Sequence, residues 1–217
     1  MTSTLQGFTH QLRDIRVIAG TLHVVLDKYS PNKGHQQWRN VSKIYSQKYF
    51  RFPAYSLTVL KLDREWDFNS HVNSIPYASL DQDFDGICSA TAVRTMTSWK
   101  SSKVLFIEDM QVIPRASCES ILQRTCKLYY CTAYAKADAL AAAETEGGGL
   151  ICHGTGDPQE VDDRGILVGV TTLINVNLPT LHNRIGLFRK WVDDSATTCG
   201  PDKRLLIYII FFVLLFQ

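Results

Sequence analysis

Three carboxylates, Asp138, Glu144 and Glu146, lead into Gly147-Gly148-Gly149-Leu150-Ile151-Cys152. Carboxylates this close could serve glycoside hydrolysis or hold calcium, but no aromatic platform accompanies them and the spacing lacks the twelve-residue calcium loop. A solvated loop is the better reading. The glycine run lacks the following lysine and serine or threonine of a phosphate loop. Glycines in series allow positive φ and close backbone approach, so this stretch predicts a tight turn before a buried strand. A second acidic row, Asp81, Asp83 and Asp85, alternates just before Cys88. It reads as a polar interdomain linker rather than a weak calcium loop. The six cysteines are Cys88, Cys118, Cys126, Cys131, Cys152 and Cys199. None shows the paired spacing of a zinc ribbon, and the six histidines are scattered, so disulfides are expected and no metal or other cofactor.

The elements that must carry these groups are mostly strands. Ile15–Gly20 alternates and ends in a glycine turn, and His23–Leu26 predicts a second strand. Lys28–Trp38 is polar and reads as a loop. Val41–Ser46 follows as a short strand, and Leu57–Leu62 is apolar at nearly every position. Phe68–Pro76 crosses the surface. Ile166–Val170 is another apolar strand, and Arg184–Val192 has helical spacing. Short strands between turn signals predict an all-β barrel or sandwich. The chain has 217 residues, 45% of them hydrophobic, enough for one or two packed domains. Its net charge is +2 without a basic stripe, which sets nucleic acid aside as a partner.

Targeting signals point two ways. Met1–Gly20 has no continuous apolar core, so a signal peptide is not expected in this stretch. Leu205–Phe216 is uniformly apolar, and as a helix its twelve residues span about 18 Å, short of the roughly 30 Å of a bilayer core. With Ser195-Ala196-Thr197 upstream, the tail fits a GPI-anchor signal better than a transmembrane helix; a tail anchor is the alternative. Asn40-Val41-Ser42 is a sequon, which makes Asn40 a glycosylation candidate in the secretory pathway.

The order of glycine turn, Leu-Ile-Cys strand, Leu-Val-Gly-Val strand and terminal helix resembles that of chymotrypsin-like serine peptidases. Where that family reads Gly-Asp-Ser-Gly-Gly-Pro-Leu, this chain reads Glu144-Thr145-Glu146-Gly147-Gly148-Gly149-Leu150. Tyr55–Asp63 resembles the strand that starts with the catalytic aspartate, and Ser56 stands in the aspartate's place. The histidine motif falls near Gly7, where neither the histidine nor its cysteine is present; only a shifted alignment brings in His10. The resemblance puts Glu144 at the oxyanion glycine and Leu140 at the floor of the substrate pocket. Acyl transfer needs nucleophile, base, orienting group and oxyanion donors. By this resemblance each role is lost, and no catalytic residue is expected.

The same resemblance implies a chymotrypsin-like double Greek-key β-barrel with an incomplete N-terminal barrel and a C-terminal helix. The expected division is 1–85 for the partial first barrel, 86–194 for the second barrel with its helix, and 195–217 for a polar spacer and apolar tail. It implies disulfides Cys88–Cys152 and Cys118–Cys131. A third family disulfide is absent at both ends, Ala142 and Val176. Cys126 and Cys199 have no family partner; pairing with each other, remaining free and reaching another chain all stay open. The strands that precede the histidine in the family are missing, which leaves an open edge on the Ile15–Gly20 side. The function implied is that of a non-catalytic serine protease homologue, extracellular or at the cell surface. It would bind a peptidase, an inhibitor or another component of a proteolytic cascade. The alternatives are an active peptidase with a displaced triad and a truncated product without function. Ser117 and Ser120, the serines nearest the turn, lack the Gly-x-Ser-x-Gly setting the first alternative needs.

Overall fold

The structure is a computed structural model that describes residues 15–25, 35–96, 102–134, 147–161, 164–174 and 177–197. Three strands, β1 (Arg16–Ala19), β3 (Gln37–Ser46) and β4 (Thr58–Leu62), form a small antiparallel sheet in the order β1-β3-β4. Its core is Val17, Val41, Leu60, Leu62, Trp66 and Val72. Arg39 caps this core from within. Its guanidinium lies 4.6 Å from the centre of the Trp66 ring, and its Nε donates to the Glu65 carbonyl at 2.7 Å. A buried charge is tolerated here because each face of the fork has a partner.

β3 starts earlier than the sequence suggests. Gln37 and Trp38, which read as the end of a polar loop, pair with β1 together with Arg39 and Asn40, and Val41–Ser46 pairs with β4. One continuous strand thus serves two neighbours in turn. The polar residues in its first half gave no periodic signal because the half-buried pattern there rests on Arg39 rather than on an aliphatic side chain.

The larger sheet has seven strands in the order β2-β6-β5-β8-β9-β10-β7, and β6 also pairs with β7. Here β2 is His23–Val25, β5 Gly86–Met96, β6 Ser102–Ile113, β7 Tyr129–Tyr134, β8 Gly149–Cys152, β9 Ile166–Leu173 and β10 Thr180–Arg184. The extra pairing closes a six-stranded barrel and leaves β2 as an outer flap on the first residues of β6. Closure removes sheet edges from the barrel. The barrel is two meanders, β5-β6-β7 and β8-β9-β10, joined along two seams, β5/β8 and β7/β10. Leu150, Ile166 and Val168 fill it together with Cys88, Met110, Val112 and Tyr130.

Two helices complete the described chain. α1 (Arg115–Leu122) bridges β6 and β7. α2 (Ile185–Thr197) buries Ile185, Phe188, Val192 and Ser195, spacings that keep one face inward. Among the described residues no helix is long and apolar enough to cross a membrane.

The acidic row before Cys88 is not a loose linker. Arg184 is 1% exposed; its Nε donates to Asp81 Oδ1 at 2.7 Å, its Nη2 to the Gln82 carbonyl at 2.8 Å, and its Nη1 to Asp83 Oδ1. Arg115 at the start of α1 binds the same Asp83 at 2.7 Å. Burial works against ionisation of Asp83, but the Arg184 and Arg115 guanidiniums outweigh it and hold the carboxyl below its usual range. Upstream, Ser79 and Leu80 donate to the Asp157 carboxylate, and Ala78 N reaches the Leu167 carbonyl at 2.9 Å. The connection between the sheets is thereby clamped along β9 and β10.

Candidate functional site

The glycine turn is held between β5 and β9. Gly147 has φ +96° and donates to the Thr171 carbonyl at 2.7 Å; Thr171 N answers to the Gly148 carbonyl at 2.7 Å. Gly149 N donates to Thr91 Oγ1 at 2.8 Å. A Cβ on Gly148 would stand 1.9 Å from the Thr91 carbonyl oxygen. The middle glycine is therefore required by close approach of two backbones, and the first by its left-handed conformation. This fixes the chain that follows Glu146. Glu146 itself, with His10, Asp138, Leu140, Ala142, Glu144, Thr145, Val176 and Cys199, lies outside the described residues.

Ser56 sits just before β4 and reaches across to the barrel. Its Oγ donates to the Pro53 carbonyl at 3.0 Å and accepts from Asn183 Nδ2 at 2.7 Å. It also shares a hydrogen bond with Thr172 Oγ1, which lies 3.1 Å from the same Pro53 carbonyl. Asn183 is 1% exposed. The Ser56 hydroxyl thus serves as a stitch between the three-stranded sheet and strands β9 and β10. It carries no charge, so it cannot stabilise an imidazolium as a carboxylate does.

Nothing in the sequence pattern marks His182. It is fully buried on β10, with Nε2 2.8 Å from Thr132 Oγ1 and Nδ1 3.0 Å from Thr171 Oγ1. Burial pushes the imidazole down to about 3, so the ring is neutral at pH 7. A neutral ring with one nitrogen donating and the other accepting satisfies both threonines. Its role is to join β10 to β7 and β9 inside the barrel.

The structure joins Cys88 to Cys152 and Cys118 to Cys131. The first bridge spans the β5/β8 seam and the second ties α1 to β7. Cys126 is buried beside the second bridge, with its Sγ 3.2 Å from Cys118 Sγ. Asn40 is exposed on β3, where its Nδ2 donates to Asp63 Oδ2 at 2.9 Å. That bond lowers the Asp63 carboxyl below its usual range. A glycan on Asn40 would have to share this nitrogen.

Taken together, the sites assigned to the aspartate and to the glycine turn are each built into hydrogen-bonded framework. Their geometry supports packing between two sheets; among the described residues it does not assemble a base beside a nucleophile.

No curated protein sequence matches the chain. Solved structures of human heparin binding protein (CAP37) are similar to it. A mutant of that protein has a TM-score of 0.62 at 19% identity, covering 86% of this chain and 78% of the other. An atomic-resolution structure of HBP gives 0.62 at 19% over 86% and 77%. A second mutant gives 0.61 at 19% over 86% and 76%. At this identity the likeness shows a shared fold. The family model described as Trypsin matches residues 10–192. With a closed six-stranded barrel, the glycine turn at its β5/β8 seam and a C-terminal helix covering it, the chain belongs to the trypsin family.

Proposed function

We propose that this chain is a non-catalytic serine protease homologue that acts by binding a protein partner, a peptidase, an inhibitor or another component of a proteolytic cascade. The observation that carries the reading is Ser56. By the family resemblance Ser56 stands in the aspartate's place, and its hydroxyl is already engaged by Pro53, Thr172 and Asn183. The sequence adds Glu146 at the nucleophile position and Glu144 at the oxyanion position, where a carboxylate would repel the charge that forms. Loss of a triad in a working enzyme leaves about 10³–10⁴-fold catalysis from binding and the oxyanion hole, and here that residue should vanish too. An extracellular or cell-surface setting is supported by the two disulfides, since such bonds persist in oxidising compartments.

The test pairs chemistry with binding. Purified chain and its Glu146→Ser variant are treated with a fluorophosphonate probe and a broad peptide library. No labelling and no turnover are expected from either, because serine at 146 would still lack a base and its orienting carboxylate. Saturable binding to a secreted peptidase or peptidase inhibitor is expected from the same preparation. Probe labelling of the unmodified chain, or turnover abolished by His10→Ala, would establish the enzyme reading instead.

A further inference from the structure

Three sulfurs meet where the sequence offered only one expected bridge. Cys118 on α1 and Cys131 on β7 are bonded, and Cys126 lies between them in sequence. All three residues are buried, at 0%, 2% and 1% exposure for Cys118, Cys131 and Cys126. The sulfur atoms all lie within 4.8 Å of one another.

Local structure explains how Cys126 gets there. α1 ends at Leu122, and the next residue, Gln123, adopts a left-handed conformation with φ +52°. Such a residue reverses the chain after a helix. Glu119, one turn from the helix end, then catches the returning loop: its Oε1 accepts from Cys126 N at 2.9 Å. On the far side the Cys126 carbonyl accepts from Tyr129 N at 2.9 Å. The thiol is thus delivered against Cys118 by backbone contacts on both sides, and its Sγ···Sγ distance to Cys118 is 3.2 Å. Reacting atoms held about 3–3.5 Å apart are in near-attack range.

We propose that Cys118, Cys126 and Cys131 form an internal thiol–disulfide exchange site in which Cys118 is bonded alternately to Cys131 and to Cys126. In the forward step Cys126 loses its proton and its sulfur attacks Cys118 Sγ. The Cys118–Cys131 bond breaks, its electron pair leaves on Cys131 Sγ, and that sulfur takes up a proton. One disulfide and one thiol stand on each side of the step, so no oxidant or reductant is consumed. The two bridges close rings of similar size, with sequence separations of 13 and 8, and their closure entropies differ little. The exchange moves the bridge from between α1 and β7 to within α1 and the loop that follows it. It leaves a thiol on a barrel strand in place of one in a loop. Burial, and next the Glu119 carboxylate, push the Cys126 thiol up against the opposing pull of Arg124 and Arg115. A thiol held protonated attacks slowly, so each isomer persists long enough to be trapped. This inference stands apart from the protein-binding reading and survives its failure.

The experiment uses the full chain, oxidatively folded and purified. It is quenched in acidic denaturant with N-ethylmaleimide, which stops exchange by removing thiolate, and then digested with trypsin. Arg124 and Lys127 place the three cysteines on separate peptides. Two products are expected: Cys118 linked to Cys131 with maleimide on Cys126, and Cys118 linked to Cys126 with maleimide on Cys131. The second should exceed about one molecule in a hundred, the range of a populated minor state. In the Cys126→Ser variant, which keeps the original bridge, the label on Cys131 should vanish. Label on Cys126 alone, Cys126 bonded to Cys199, or a Cys131 label that persists in Cys126→Ser would each overturn the proposal.

Discussion

Burial pushes the His182 imidazole from 6.5 to about 3, and this one residue should shape the acid stability of the barrel. Between those two values the unfolded chain binds a proton that the folded chain refuses, so stability rises with pH across the window. The contribution is fully present above pH 6.5 and is lost as pH falls towards 3. Between pH 7 and pH 4 the loss amounts to about 3 kcal/mol, at 1.36 kcal/mol per pKa unit. His182→Gln keeps a donor and an acceptor for Thr132 and Thr171 and does not titrate. Urea unfolding of the two proteins at pH 7 and pH 4 is expected to show the histidine form losing about 3 kcal/mol more. Parallel losses would mean that His182 already protonates inside the fold. None of this was legible in the sequence. A histidine between Leu181 and Asn183 looks like any strand residue; its partners lie on β7 and β9, and only barrel closure brings them to it. Ser56 is the opposite case. Its place in a Leu-rich strand pattern was readable, but its engagement with Asn183 was not.

At the scale of elements, the glycine turn shows what local pattern can and cannot deliver. Three consecutive glycines announce a turn, and the following Leu-Ile-Cys announces a buried strand. Which glycine is indispensable depends on Thr91, a residue on another strand. Gly148→Ala should force the β5/β8 seam apart, because the new Cβ has backbone, not a movable side chain, 1.9 Å away. A cost of about 1–3 kcal/mol is expected, typical of overpacking a rigid site. A calorimetric melting temperature unchanged by Gly148→Ala would contradict it. The acidic row is a different case. Its place in a polar connection was readable, but its ion pairs were not, because the partner of Asp81 and Asp83, Arg184, is about a hundred residues away in sequence, with separations of 103 and 101. Single-sequence patterns report periodicity within an element; they do not report an ion pair between elements. β3 was foreshortened for a related reason, since its first half buries an arginine.

For the whole molecule, family resemblance carried the fold further than periodicity did. Order and spacing of degraded motifs pointed to a double-barrel architecture; the outer strand β2 was readable as a strand, but its pairing with β6 was not. The two meanders of the closed barrel have a consequence for the route by which the chain folds. Contacts inside β5-β6-β7 and β8-β9-β10 are between neighbours in sequence, and such contacts form with little loss of chain entropy. The two seams are the long-range steps. Cys88–Cys152, with a sequence separation of 64, spans the β5/β8 seam and keeps its strands tethered even in the unfolded chain. With that bridge intact, β7/β10 is left as the seam that must close last. In stopped-flow refolding of the oxidised protein, Val112→Ala on β6 should slow folding. Leu181→Ala on β10 should leave the folding rate nearly unchanged and accelerate unfolding. The reverse assignment would place the β7/β10 seam in the nucleus. If the seam closes last it also opens first, so the transient state most exposed to a protease or to a neighbouring chain is a curled, single-seamed sheet with β7 and β10 unpaired on its edges.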